Sequence, residues 1–152
     1  MRKNLLYIAS VLFLFSFVSC QNNGHIGWIF GVWRVAEYSV NGQPQSSNLQ
    51  STTTFAFQNN IVQVVAYIDD YNTDISRYGT WQQDGDEFTF NFTHHDDATG
   101  QGEGLYAAPE WLGMTSAEPM HMTIISQTDD KFSLEWTDAA GSRIIYKFEK
   151  TW

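Results

Sequence analysis

The segment Glu87-Phe88-Thr89-Phe90-Asn91-Phe92-Thr93 alternates polar and aromatic residues without an exception. Side chains of a β-strand point to opposite faces in turn, so this order puts every ring on one face and every polar group on the other. A helix of the same residues would scatter the rings around its axis. The same period of two runs through the rest of the chain. It predicts strands at 32–40, 52–57, 61–68, 75–82, 87–93, 120–126, 131–137 and 143–150. Turn-forming residues stand between them, among them Asn41-Gly42, Asn59-Asn60, Asp84-Gly85-Asp86 and Ala139-Ala140-Gly141. No stretch offers a long amphipathic helix.

Eight strands joined mostly by short sequential connections favour antiparallel neighbours. Each has one strongly apolar face, and closing the sheet removes its exposed edges. The predicted fold is therefore all-β, an eight-stranded antiparallel up-and-down barrel, with a two-sheet sandwich as the alternative. Aromatic residues make up 16% of the chain and fall inside the alternating segments, which marks an ordered, ring-rich core. Two connections break the pattern. Residues 43–51 form a long polar loop after the first strand. Residues 94–119, between strands five and six, are too many for a structureless link, and so predict a packed lid or a short helix. Pro109-Glu110-Trp111-Leu112-Gly113 suits one helical turn, with proline opening it and glycine closing it.

The alternation also assigns facing. Trp33, Val35, Glu37, Phe55, Phe57, Phe88, Phe90, Phe92, Met122, Ile124, Phe132, Leu134, Trp136, Ile144, Tyr146 and Phe148 are expected to line the interior. The third strand is apolar on both sides, so its facing stays open. Glu37 is the odd member, because a carboxylate inside a barrel needs a partner or water. Eight strands stand at the size where side chains either fill the interior or leave room for one small ligand. A lining of large rings fits an apolar pocket and a solid plug equally well.

Charge and composition exclude several functions. The chain carries −9 formally, and beyond Arg2 and Lys3 six basic side chains face seventeen acidic ones, a net −11. Nucleic acid needs a basic patch that this chain lacks. No nucleophile elbow or phosphate-cradling glycine loop follows a strand, so no enzyme is expected. His94-His95-Asp96-Asp97 has metal-ligand residue types, but neighbouring side chains of an extended segment diverge. It reads as a solvated loop, and neither metal nor cofactor is expected.

The N-terminus is informative. Arg2 and Lys3 precede a run of apolar residues from Leu5 to Val18. As a helix that run spans about 21 Å, short of a bilayer core of ~30 Å. It reads as a signal peptide over residues 1–19. Phe17-Val18-Ser19-Cys20 resembles a bacterial lipobox, which implies cleavage before Cys20 and acylation of its thiol, with palmitate as an expected chain. Residues 20–27 then form a lipidated tether, and 28–152 the barrel domain. The tether has no acidic run of the kind that resembles a surface-export signal. The expected location is therefore the outer membrane, facing the periplasm.

Gly31-Val32-Trp33 opens the first of the eight strands, after a short apolar cap and before a long first loop. This order resembles the lipocalin, or calycin, pattern. Taken with the lipobox, the chain is similar to small lipocalin-like lipoproteins of the Bacteroides type. The resemblance implies that Trp33 packs at the closed end of the barrel against a basic side chain late in the last strand, with Arg143, Lys147 and Lys150 as candidates. It also implies a small apolar ligand such as a fatty acid. The alternative is a filled barrel that serves as an interaction, inhibitor or assembly module.

Overall fold

A computed structural model of the chain describes residues 24–68, 74–93 and 106–152. The strands are β1 (Gly31–Val40), β2 (Gln43–Gln45), β3 (Thr54–Gln58), β4 (Ile61–Tyr67), β5 (Asp74–Asp84), β6 (Glu87–Asn91), β7 (Met120–Gln127), β8 (Lys131–Thr137) and β9 (Arg143–Lys150). Every pairing between them is antiparallel. β1 and β3 to β9 pair in sequence, and β9 pairs back onto β1, so eight strands close an up-and-down barrel. β2 lies outside this ring. It folds back along the far end of β1 through the Asn41-Gly42 turn, with Val40 opposite Gln43.

The polar loop expected over 43–51 thus holds β2 and a single helical turn, α1 (Asn48–Ser51). Short 3-10 turns occupy Gly24–Ile29, ahead of β1, and Glu110–Leu112, between β6 and β7. The latter is the predicted helical turn, with Pro109 before it and Gly113 closing it at φ 70°. No helix among the described residues is long and apolar enough to cross a membrane.

β1 begins where the sequence placed its anchor. Gly31 has φ +127°, and a Cβ there would lie 2.3 Å from the Trp152 carbonyl oxygen, so only glycine fits. That close approach lets the Val32 amide donate to the Trp152 carbonyl at 3.0 Å and the Val32 carbonyl accept from the Thr151 amide at 2.8 Å. The two chain segments seal one end of the barrel, here called the base. The opposite end, the mouth, is rimmed by the Asn41-Gly42 turn and by the turn from Asp138 to Ser142.

Candidate functional site

The barrel interior is a continuous stack of rings at its base. Trp33, Phe55, Phe57, Phe88, Phe90, Phe132 and Phe148 are all buried. Phe132 stacks on Phe148 with centroids 4.4 Å apart, and Trp33 meets Phe132 edge-on at 4.8 Å. Phe55 meets Phe148 at 5.2 Å and Phe90 at 5.8 Å, while Trp81 stacks on Phe88 at 5.3 Å. Such offset and edge-on contacts contribute on the order of 0.5–1.5 kcal/mol each beyond the burial of area. A void large enough for water would leave accessible surface on its walls. Trp33, Phe55, Phe57, Phe88, Phe90, Phe92 and Leu134 have 0% exposure, so the base half is solid.

Trp33 fixes this end. Its indole Nε1 donates to the Ile29 carbonyl at 2.7 Å, tying the first 3-10 turn to β1. The Lys150 ammonium lies 5.1 Å from the centre of the indole ring. Of the three basic residues considered above, Lys150 is the one on Trp33, because β9 places it directly opposite in the ladder. Lys147 and Arg143 instead form ion pairs on the outer wall, with Glu37 and Glu135.

The mouth is closed differently, by residues borne on a loop. Ala108, Leu112 and Met114 are buried, although none belongs to a strand. Three side chains hold this segment in place. The Tyr146 hydroxyl donates to the Leu112 carbonyl at 2.8 Å, and the Trp111 indole donates to Thr53 Oγ1 at 2.8 Å. The Gln50 amide donates to the Trp111 carbonyl at 3.1 Å. Gly113 lies against Tyr38, whose hydroxyl would be 2.7 Å from a Cβ at that position. Tyr38 stacks on Tyr146 at 5.4 Å and 8°. Burial pushes the Tyr146 phenol well above the ordinary tyrosine range, with Tyr38 and Asp138 adding to the effect. Tyr38 is raised too, first by burial and then by Asp138. Gln50 Oε1 and Trp81 Nε1 are buried polar atoms with no partner among the described residues. The first belongs to the mouth and the second to the wall near the base.

Most of the expected lining residues reach the interior. Val35, Met122, Ile144, Tyr146 and Phe148 are buried there with the rings, while Ile124 and Trp136 are half-buried and pack against the same core. Glu37 does not belong with them. β1 bulges between Val35 and Glu37, so Val35 lies opposite Phe148 while Glu37 lies opposite Lys147. One extra residue inverts the parity of everything after it. Glu37 therefore points outward and pairs with the Lys147 ammonium at 2.9 Å. Tyr38 takes the inward position that alternation gave to Glu37. β4, unassigned from sequence, sends Val62, Val64 and Ala66 inward. Trp81, Leu112 and Met114 also escaped the assignment. The Gly79-Thr80-Trp81 pattern was a usable signal for Trp81, whereas nothing in the alternation marks loop residues as core.

Little else among the described residues gathers chemistry. No group of His, Cys, Asp and Glu side chains there could hold a metal. His121 pairs with Glu87 at 3.0 Å on the outer wall. Cys20 and the cluster His94-His95-Asp96-Asp97 lie outside the described residues.

The comparisons with known proteins agree with the geometry. A sequence family described as a lipocalin-like domain matches residues 29–134. No curated protein sequence matches the chain. An uncharacterized protein from Bacteroides eggerthii is similar in structure, with a TM-score of 0.57 and 18% identity over 80% of this chain and 98% of that one. A lipocalin-like protein from Bacteroides uniformis also has a TM-score of 0.57, with 13% identity over 82% of this chain and 99% of the other. At these identities the likeness concerns the fold alone.

Proposed function

The chain belongs to the lipocalin-like family, and from that premise we propose that it is a membrane-anchored lipoprotein whose barrel takes a small apolar ligand at its mouth. Residues 1–19 act as the signal peptide, Cys20 carries the acyl chains, and the barrel faces the periplasm from the outer membrane. The ligand, a fatty acid or a molecule of similar apolar length, enters the space that Leu112 and Met114 fill in this state. The observation that carries this reading is the origin of those two side chains. They come from a loop rather than from the wall, so they can leave without breaking the ladder. Tyr38 and Tyr146 then offer two hydroxyls to the polar end of the ligand, inside otherwise apolar walls.

The solid base supports a second reading, a filled barrel acting as an interaction, inhibitor or assembly module without a ligand. Rings that contact each other on every side leave nothing to displace there. One experiment separates the two. The chain from Cys20 onward, with Cys20 replaced, is titrated with a fluorescent fatty acid while tryptophan emission is compared with that of Trp111→Phe, which isolates the Trp111 signal among the six tryptophans. Saturable uptake that unlabelled fatty acid reverses, together with a change at Trp111, supports the mouth site. No uptake across a broad lipid panel leaves the filled module as the function. Mass analysis of Cys20 from native membranes tests the anchor, and an unmodified thiol would sink it.

A further inference from the structure

The base face carries apolar side chains that the core leaves exposed or only partly covered. Trp152 is 76% exposed, although its backbone is fixed by hydrogen bonds to Val32. Phe30 is half-buried beside it, with ring centroids 6.2 Å apart. Ile61, next to the Asn59-Asn60 turn, is 40% exposed on the same rim. Ile125, at the bulge near the base end of β7, is 45% exposed. Elsewhere, Tyr67 and Ile68 are the large apolar side chains exposed at the mouth end of β4.

The length of the tether decides which end meets a membrane. Three residues lie between Cys20 and Gly24, and the four Cα-to-Cα steps this makes span at most about 14 Å. The six-residue 3-10 turn from Gly24 to Ile29 adds about 12 Å along its axis. Ile29 is then locked in the base, at 0% exposure and bonded to Trp33. The ten residues of β1 run about 33 Å along the strand, away from the base. Bringing the mouth to the membrane would need the whole tether pulled taut along the barrel wall. Bringing the base there needs no extension at all.

We propose that the base face, through Trp152, Phe30 and Ile61, rests in the interfacial layer of the lipid bilayer and holds the mouth away from the membrane. This rests on the anchoring of Cys20 proposed above. Indole favours the headgroup layer, where its ring is apolar and its N–H is wet, and the Phe30 and Ile61 side chains add apolar area beneath it. Charge does not drive the contact. The base carries Asp84, Asp86, Glu87, Asp129, Asp130 and Glu149, against Arg34, Lys131 and Lys150. The contact is therefore better on zwitterionic lipid than on anionic lipid, which repels this acidic rim. The orientation has a consequence for the ligand, which reaches the mouth from the aqueous side and not by sliding out of the bilayer beneath.

The test imposes the tether chemically, so that it does not depend on acylation in the cell. The chain from Cys20 onward, whose described residues close the barrel by themselves, is coupled through its thiol to phosphatidylcholine vesicles carrying a small fraction of maleimide lipid. Hydroxyl-radical footprinting read by peptide mass analysis then compares tethered with free protein. Oxidation of Trp152 and Ile61 is expected to fall about fivefold or more, with Tyr67 and Ile68 unchanged. Protection of Tyr67 and Ile68 instead, or equal oxidation of both ends, overturns the proposal. So does protection of Trp152 that grows with tether density, which would mean contact between copies. An unmodified Cys20 in native membranes would defeat the anchoring reading on its own, and the footprint would still report which face of the barrel seeks lipid.

Discussion

The two ends of this barrel are closed by different kinds of structure. At the base, the wall itself supplies the seal. Trp33, Phe132 and Phe148 come from β1, β8 and β9, and the backbone of Gly31 and Val32 meets that of Thr151 and Trp152. At the mouth, the seal is the loop segment around Leu112, held by bonds from Tyr146, Trp111 and Gln50. Removing a base side chain damages the ladder's own packing, whereas removing a mouth contact loosens only the cover. A closure made by the wall is structural, and one made by a loop can serve as a gate.

The largest test of that contrast is Trp33→Ala. Truncating a fully buried indole is expected to cost about 3–5 kcal/mol, read by urea unfolding. If the loss is instead below about 1 kcal/mol, the base is not the structural end and the comparison fails. Leu112→Ala comes next. A loop can relax into the space it leaves, so the loss falls near the low end of the range for such truncations, about 2 kcal/mol. The same substitution should increase fatty-acid uptake, and a drop in uptake would mean that Leu112 contacts the ligand instead of excluding it.

Tyr146→Phe removes one hydrogen bond to the cover and is expected to cost about 1 kcal/mol. It also sharpens the contrast through pH. The folded state holds this phenol well above its ordinary value of 10.0, so in the unfolded chain it loses its proton first. The stability it contributes is complete below pH 10 and is lost as pH rises through the folded value. Urea midpoints measured at pH 8 and pH 11 should therefore fall more steeply for the native chain than for Tyr146→Phe. Equal slopes would place the alkaline sensitivity elsewhere. The smallest effect is expected from Glu37→Gln, whose exposed ion pair with Lys147 contributes under about 0.5 kcal/mol. Ligand uptake should stay unchanged, and an altered affinity would return Glu37 to the interior.

Much of the base was legible before any coordinates. The alternation in 87–93 and 131–137 placed Phe88, Phe90, Phe92, Phe132 and Leu134 inside, since strand parity leaves a ring only two directions. The site at the mouth was less legible. Ala36 is an ordinary residue in an ordinary strand, and nothing in its neighbours announces the bulge that turns Glu37 out and Tyr38 in. Leu112 and Met114 were recognisable as apolar loop residues, but which partners they meet depends on chain ends brought together by closure.

The sequence by itself determined the period, the number of wall strands and the glycine-tryptophan start of β1, because these follow from local backbone geometry and from the burial of one face. Only the tertiary structure decided that Lys150 is the cation on Trp33, that Glu37 lies outside, and that Leu112 and Met114 are the side chains the expected lid buries in the mouth. Those outcomes depend on register between strands distant in sequence. A single inserted residue resets that register, and composition carries no trace of it.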